Sequence, residues 1–221
     1  MLHSNDEFEK SIHSAIVINV HNLSRANLIG FSLTVESSTC YTHPMKRGPY
    51  EVITSREVYK NLWISLREDS IIRHNGEEGI FGIVESLSGV SIVALNEKKE
   101  IYLIKEYAYA IDRYTIGIPT GGVDENETLL DAAKRELQEE TGLVAADWIE
   151  LGHIDPYTMI VKGPQHLFLA LGVKKETEKE AEIELLTMPF TEAYNMVMES
   201  SITHAGSAMA IMKAKEYLEK N

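Results

Sequence analysis

Three glutamates on one face of a predicted helix constrain this chain more than any other feature. Glu136, Glu139 and Glu140 lie three and four residues apart, so a helix places their side chains side by side. Like charges at this spacing repel, at a cost of roughly 0.2–0.5 kcal/mol per pair in an isolated helix. Divalent cations that prefer oxygen ligands, such as Mg²⁺, are the natural counter-charge. The cluster therefore predicts a metal site.

The residues around the glutamates distinguish this cluster from the solvated acidic face that such a run usually forms. The predicted helix spans about 128–141, and Leu130, Ala133 and Leu137 form an apolar stripe along it. The carboxylates lie along the edge of that stripe, so they border the buried side of the helix. Ahead of the helix, Gly121 permits a tight turn and a close approach of the backbone to a ligand.

The segment 121–143 resembles the Nudix box, G-x5-E-x7-R-E-U-x-E-E-x-G-U, in which U is an aliphatic residue. Every specified position matches, which is a far more specific signal than a lone glycine motif. The matching residues are Gly121, Glu127, Arg135, Glu136, Leu137, Glu139, Glu140, Gly142 and Leu143. Nudix enzymes hydrolyse a nucleoside diphosphate linked to another group, and they use Mg²⁺ or Mn²⁺. The resemblance therefore implies a metal-dependent pyrophosphatase.

The resemblance also assigns roles to the residues of the box. It implies that Glu136 and Glu140 are the main metal ligands, and that Glu139 is a further ligand or positions water. By resemblance to the pyrophosphatase branch of the family, the backbone carbonyl of Thr120 is expected to be another ligand. Such ions are chemically suited to a diphosphate, because they neutralise its charge and lower the pKa of an attacking water.

Other residues of the box have supporting roles by the same resemblance. Arg135 and Glu127 are oppositely charged and are expected to orient the carboxylates, which makes Arg135 a candidate catalytic residue together with Glu139. Gly121, Glu127 and Gly142 are expected to maintain the structure of the box.

An acidic loop after the last predicted strand of the sheet contains the candidate general base. It holds Glu176, Glu178, Glu180, Glu182 and Glu184, and most of these are expected to be solvated. ADP-ribose pyrophosphatases have a catalytic glutamate in a loop at this place. Counting back from the Pro-Phe-Thr-Glu-Ala turn selects Glu180, with Glu182 as the alternative, and the base must lie within hydrogen-bond reach of its water.

The chain departs from the ADP-ribose branch at two positions. Ala108 stands where the branch motif Q-Y-R has its arginine, and Gly117 stands where L-E-x-P-A-G has its glutamate. Those two side chains help to hold the substrate, and losing a charge-assisted contact costs about 1.5–3 kcal/mol. Arg113, Lys105 and Lys162 are the nearby candidates to replace the lost contact.

The resemblance and its departures leave three functions open. ADP-ribose is the leading substrate, cleaved to AMP and ribose 5-phosphate. Another nucleotide sugar or a dinucleotide is the alternative, favoured by Ala108 and Gly117. A domain that senses a nucleotide without cleaving it is the third reading, although such domains usually have an eroded box.

Composition excludes several other classes. The chain has 221 residues and a formal net charge of −13, which argues against a surface for a nucleic acid polymer. Its only cysteine, Cys40, cannot form an internal disulfide, as is common in the reducing cytoplasm. The sequence has no apolar run of 18 residues, and residues 1–10 do not show the basic and then apolar pattern of a signal peptide. We therefore expect a cytoplasmic protein with a small-molecule substrate and no membrane partner.

The expected fold class is α+β, with the Nudix fold: a mixed β-sheet flanked by helices in an α/β/α sandwich, preceded by a small N-terminal β subdomain. The expected regions are an extension of unknown role at 1–44, the β subdomain at 45–90 and the Nudix hydrolase domain at 91–221. Strand-like runs lie at 15–20 and 29–35 in the extension. Alternatively, translation begins at Met45. By resemblance the protein is a homodimer, in which the strands at 52–90 reach the partner's substrate pocket.

Other local patterns predict details of the structure. The alternation at 58–69 predicts strand structure. Trp63 and Trp148 are expected to pack rather than to stack on a base, and a dimer interface is the alternative for Trp63. After the sheet, Pro189-Phe190-Thr191 predicts a helix start with Thr191 as its N-cap. The two C-terminal helices are predicted near 191–200 and 205–219.

Overall fold

The computed structural model describes residues 45–178 and 183–221. The predicted strands at 15–20 and 29–35, together with Glu180 and Glu182, lie outside the described residues. The described strands are β1 (Met45–Arg47), β2 (Tyr50–Lys60), β3 (Ile64–Ile72), β4 (Glu78–Ser86), β5 (Gly89–Leu95), β6 (Glu100–Ala108), β7 (Arg113–Gly117), β8 (Thr120–Gly122), β9 (Leu143–Val144), β10 (Asp147–Ile154), β11 (Val161–Lys162), β12 (Gln165–Leu171), β13 (Lys174–Lys175) and β14 (Glu184–Pro189). The helices are α1 (Leu129–Thr141), α2 (Phe190–Met198) and α3 (Ala205–Lys220), and a short 3-10 helix spans Tyr109–Ile111.

The first sheet contains the strands of the proposed N-terminal subdomain. Its order is β1-β2-β3-β4-β11, in which β1 to β4 pair antiparallel and β11 pairs parallel with β4. The strand structure predicted at 58–69 is divided between β2 and β3, because the chain turns between them. The side-chain oxygen of Asn61 accepts hydrogen bonds from the N–H groups of Trp63 and Ile64, both at 2.8 Å, and this closes the turn.

The second sheet is mixed and lies at the centre of the Nudix domain. Its order is β10-β12-β5-β6-β14, with β7 paired to β6 and β8 paired to β5. Every residue of β5 is buried, since helices cover both faces of the sheet there. An all-apolar strand is typical of this position, whereas a strand with one wet face would alternate.

Two hydrophobic cores lie on the two faces of this sheet. On one face, α1 packs Ala132, Ala133 and Leu137 against β5 and β12. On the other face, α3 packs against β5 and β12, mainly through small and branched residues such as Ala210 and Ile211, and α2 packs against β6 and β14. This α/β/α arrangement confirms the predicted α+β fold class. In the described part of the chain, none of the helices is long and apolar enough to cross a membrane.

The helix boundaries agree with the sequence patterns except at one cap. Helix α1 begins after Thr128, whose hydroxyl accepts a hydrogen bond from the N–H of Asp131 at 3.1 Å. The prediction of Thr191 as an N-cap is wrong. Pro189 occupies that position, two residues earlier, and the N–H of Phe190 donates to the carbonyl of Lys99 at 3.1 Å.

Candidate active site

The guanidinium of Arg135 is the centre of the hydrogen-bond network in the box. It donates to both carboxylate oxygens of Glu127 at 2.9 Å, and to the carbonyl of Gly122 at 2.9 Å. A paired geometry of this kind is among the strongest that proteins form. These bonds hold the loop at 122–127 against α1, and they keep the pKa of Glu127 below its usual value.

The same guanidinium also binds two of the clustered acids. Its Nη1 donates to Glu136 at 2.7 Å and to Glu139 at 3.1 Å. The carboxylate of Glu136 is largely buried, at 13% exposed, whereas that of Glu139 is 50% exposed. Burial raises the pKa of Glu136, and the hydrogen bond from Arg135 opposes that shift. Arg135 therefore offsets part of the repulsion that the spacing of the glutamates creates.

The strand β8 lies directly against the acidic face of α1. A Cβ atom placed on Gly121 would lie 1.9 Å from Cδ of Glu136, so only a glycine lets this carboxylate rest on the strand. One residue earlier, the N–H of Thr120 donates to Oε2 of Glu140 at 3.0 Å. Both principal carboxylates are therefore positioned by contact with the β8 backbone.

The donor set is chemically suited to a hard divalent cation. Glu136, Glu139, Glu140 and the carbonyl of Thr120 are all oxygen donors at the junction of α1 and β8. Within residues 45–178 and 183–221, no three acidic, histidine or cysteine side chains converge at metal-ligand spacing. Glu136 and Glu139 point to Arg135 instead. Ligation by all three glutamates would require their carboxylates to lie closer together than they do here.

A cleft of about 510 Å³ opens beside these residues and meets them at Thr120. Its volume lies in the range typical of small-molecule sites. Ala108, Gly117 and Arg113 line its walls, and Ala108 and Arg113 stand opposite each other in the β6–β7 pairing. The structure therefore places both departures from the ADP-ribose branch, together with one proposed replacement, on the same cavity.

Two other basic candidates lie elsewhere. The ammonium group of Lys105 is not on the cleft wall, because it pairs with Glu184 of β14 at 2.7 Å. The ammonium nitrogen of Lys162 is 3.5 Å from a carboxylate oxygen of Glu85 in the first sheet, so it forms an ion pair there. Of the three candidates, Arg113 is therefore the one that lines the cleft of this chain. The position of Lys105 does not support its assignment as a substrate-binding residue.

The end of the box helix anchors the acidic loop. Gly142 has a φ of +72°, and its carbonyl accepts hydrogen bonds from the N–H groups of Glu176 and Thr177, at 2.9 and 3.1 Å. A Cβ on Gly142 would lie 2.3 Å from the carbonyl oxygen of Thr177. This glycine therefore both ends α1 and fixes the start of the segment that leads to Glu180 and Glu182, which themselves lie outside the described residues.

Three further cleft residues have no counterpart in the sequence analysis. His204, Ser207 and Tyr157 line the same cleft. Their position depends on the packing of α3 and of the β10–β11 connection, which no local spacing reveals. Histidine is also not a preferred N-cap residue, so the pattern at the start of α3 offered no signal.

Comparison with known protein families decides the identity of this fold. A model of the NUDIX domain matches residues 86–201, which is more than half of the chain. The chain belongs to the Nudix hydrolase family. A second model, the nucleoside diphosphate sugar hydrolase N-terminal domain, matches residues 47–84. The predicted family and enzyme class are thereby confirmed, and Nudix hydrolases generally use divalent metal cations.

Individual relatives of this Nudix hydrolase are similar along most of its length. The ADP-ribose pyrophosphatase of Bacillus subtilis is 24% identical over 182 residues, which cover 79% of this chain and 98% of that protein. The ADP-ribose pyrophosphatase of Mycobacterium tuberculosis is 27% identical over 167 residues, covering 73% and 81%. A crystal structure of an ADP compounds hydrolase superposes with a TM-score of 0.69 at 20% identity, covering 80% of this chain and 97% of that one. This superposition confirms the Nudix fold.

The contact between Gly121 and Glu136 leads to a test with a neighbouring control. We expect Gly121→Ala to lower turnover about 10- to 100-fold, because the new methyl group displaces the Glu136 carboxylate. The unfolding free energy should change little, since the end of a flexible side chain can move. Gly122→Ala is the control, because its Cβ would meet only Leu87, at 3.7 Å. Equal activity of the two variants, measured by steady-state kinetics, would contradict this role of Gly121.

Proposed function

We propose that this Nudix hydrolase cleaves the diphosphate bond of a nucleoside diphosphate derivative with Mg²⁺ or Mn²⁺. ADP-ribose is the leading substrate, and AMP and ribose 5-phosphate are the products. The observation that carries the proposal is the hydrogen bond between Thr120 and Glu140, because it joins the acidic face of α1 to the wall of the cleft. A diphosphate in that cleft would lie beside the candidate ligands.

In this proposal the carboxylates and one backbone group share the metal. Glu136, Glu140 and the carbonyl of Thr120 are the main ligands, and Glu139 is a further ligand or holds water. Bound divalent metal supplies the positive charge that neutralises the diphosphate and acidifies the attacking water. Arg135 keeps Glu136 in place through its bond at 2.7 Å, and Glu127 keeps Arg135 in place.

We assign the general base to the acidic loop, to Glu180 with Glu182 as the alternative. The support from the structure is the anchor at Gly142, whose carbonyl binds the N–H groups of Glu176 and Thr177. This anchor starts the loop at the C-terminal end of α1, close in sequence to Glu139 and Glu140. The base accepts a proton from the water that attacks phosphorus.

ADP-ribose is favoured by the names of the two pyrophosphatase relatives and by the position of Arg113. The guanidinium of Arg113 extends from the residue opposite Ala108, so it can supply the positive charge that the family's arginine supplies. Another nucleotide sugar or a dinucleotide is the second candidate. The uncharged wall at Ala108 and Gly117 favours it, since a wall without those charges would bind ADP-ribose less tightly. The complete Arg135 network argues against a domain that only senses a nucleotide.

We also propose a homodimer that forms through the N-terminal subdomain, residues 45–90. Its strands and turns expose large apolar side chains, and a monomer seldom leaves such a patch uncovered. Leu62 and Trp63, at the β2–β3 turn, are 85% and 67% exposed. Exposed Trp63 is not packed within this chain, which favours the interface alternative, whereas Trp148 does pack, edge-to-face, on Phe168. In the proposed dimer, these strands reach the partner's cleft.

The metal assignment is tested by removing one charge. We expect Glu140→Gln to reduce ADP-ribose turnover by about three orders of magnitude, because a principal metal ligand is lost. The amide oxygen can still accept the hydrogen bond from Thr120, so the unfolding free energy should stay within about 0.5 kcal/mol. Released phosphate, measured after coupling to a phosphatase with and without Mg²⁺, reports the rate. The exposed Glu125→Gln is the control. Full activity of Glu140→Gln would remove the basis for the metal site.

The assignment of the base is tested with two neighbouring variants. Glu180→Gln should lower kcat by about 10²- to 10⁴-fold, with much less effect on KM, because a general base acts on the chemical step. Glu182→Gln is its matched control in the same loop. If Glu182→Gln is the damaging variant instead, the base is Glu182 and the register is off by two residues. If neither variant slows kcat, the loop does not supply the base.

The dimer is tested by sedimentation equilibrium. We expect a particle of twice the chain mass of 24.9 kDa. The double variant Leu62→Ser and Trp63→Ser should weaken the dimer at least tenfold, since about 1.4 kcal/mol suffices for that change and two exposed apolar side chains are removed. Met198→Ser, an exposed methionine on α2, serves as the control. A monomeric wild-type protein at micromolar concentration would contradict the proposal.

A further inference from the structure

His204 lies at the start of α3 and on the wall of the cleft, and its ring has one occupied and one open side. On the occupied side, Nδ1 accepts a hydrogen bond from the N–H of Ser207 at 3.3 Å, which caps the helix. The residue as a whole is exposed, and it lines the cleft with Thr203 and Ala205. Among the described residues Nε2 makes no hydrogen bond, so it is available to a ligand in the cleft that His204 lines.

Ser207 makes the proton position on this ring definite. Ser207 is fully buried, and its Oγ accepts a hydrogen bond from the N–H of Ile118 at 3.2 Å. The backbone N–H of Ser207 can only donate, so Nδ1 is the acceptor in the neutral ring, and the Ser207 hydroxyl, 3.0 Å from Nδ1, can donate to the same nitrogen. With two donors directed at Nδ1, the neutral ring carries its proton on Nε2. Desolvation of the ring by the protein atoms around it also lowers the pKa of His204, which favours this neutral form near pH 7.

Two glycines allow this arrangement. A Cβ on Gly117 would lie 2.9 Å from Oγ of Ser207, and a Cβ on Gly206 would lie 2.6 Å from Oγ of Ser91 and 3.0 Å from Cε1 of His204. The start of α3 can therefore approach β5 and β7 closely. Gly117 is also the position at which the ADP-ribose branch has a glutamate. A glycine at position 117 thus has two effects: no acidic side chain stands on this wall, and there is room for Ser207, which orients His204.

We propose that His204 is a specificity-determining residue, whose Nε2–H donates a hydrogen bond to an uncharged acceptor of the substrate. The acceptor is a hydroxyl, carbonyl or ring nitrogen on the part of the nucleoside diphosphate derivative that lies away from the cleaved bond. The inference rests on the proposed function, because it assumes that the substrate occupies this cleft. Its physical basis is a reversal of polarity. A glutamate on this wall would accept a hydrogen bond, whereas the oriented imidazole donates one.

Two substitutions separate this role from that of a helix cap. His204→Asn keeps an acceptor for the N–H of Ser207, since asparagine is a preferred N-cap residue, but its short side chain loses the donor to the cleft. His204→Gln extends an amide N–H toward the place of Nε2 but caps the helix poorly. A purely structural role predicts that activity follows stability in both variants. A role in specificity predicts that His204→Asn loses activity but not stability. It predicts that His204→Gln loses stability but keeps more of the activity.

The measurements are KM, kcat and the midpoint of thermal unfolding for the wild type and both variants. For His204→Asn we expect KM to rise about 5- to 10-fold, with kcat within about twofold and an unchanged midpoint, because a neutral hydrogen bond in the ground state is lost. For His204→Gln we expect a lower midpoint and a KM closer to that of the wild type. A wild-type KM in His204→Asn, or a KM that follows the midpoint in both variants, overturns the proposal.

The substrate panel keeps this test distinct from that of the proposed function. ADP-ribose, ADP-glucose and NADH are assayed with Mg²⁺, and the variants are compared on the compound that the wild type cleaves best. Failure on ADP-ribose alone contradicts the proposed substrate and leaves the test of His204 intact. If no compound is cleaved, the affinity for AMP and for ADP-ribose in EDTA, measured by calorimetry, decides. The same 5- to 10-fold loss in His204→Asn supports the role, and equal affinity overturns it.

Discussion

The site depends on one guanidinium group that reaches a loop and a helix at the same time. Arg135 binds both oxygens of Glu127 and the carbonyl of Gly122 on the loop side, and it binds Glu136 and Glu139 on the helix side. A lysine could not do this, because its ammonium lacks the planar set of donors. Without this group, clustered carboxylates would repel one another and turn to solvent. With it, Glu136 is held at the surface of β8.

The proposed metal ligands and the residues of the cleft wall lie on different parts of the fold. The box helix and β8 rest on the fully buried strand β5, so the proposed ligands are attached to the best-packed part of the domain. The cleft wall is instead formed by the ends of β6 and β7 and by the start of α3. Changes such as Ala108 and Gly117 occur on this wall, where they alter what is bound while the carboxylates remain in place. Connecting segments of this kind commonly carry specificity on a fixed scaffold.

How much the sequence predicts depends on how local each interaction is. The spacing within 121–143 defines the box helix, because neighbours three and four residues apart determine its faces and Gly142 ends it. The contact of Gly121 with Glu136 also lies within this segment. The sequence predicted a tight turn at Gly121, but this glycine lies in the strand β8, where it makes room for the Glu136 carboxylate. The turn at Asn61, by contrast, interrupts an alternating pattern by means of side-chain hydrogen bonds, which periodicity alone does not reveal.

Long-range pairing accounts for the features that no pattern predicted. The hydrogen bond between Ile118 and Ser207 joins positions that are far apart in the chain, so the orientation of His204 depends on how α3 docks on the sheet. The same applies to Lys105, which the register of β6 with β14 places opposite Glu184. Whether a basic side chain near the box reaches the cleft therefore depends on strand pairing, which the sequence alone does not show.

A crystal structure with Mg²⁺ and a non-hydrolysable methylene analogue of ADP-ribose tests the central claim most directly. We expect ions held by Glu136, Glu140 and the carbonyl of Thr120, next to the two phosphates of the analogue, with Arg135 still bound to Glu127. An analogue bound elsewhere, or carboxylates that face solvent with no ion between them and the phosphates, would contradict it.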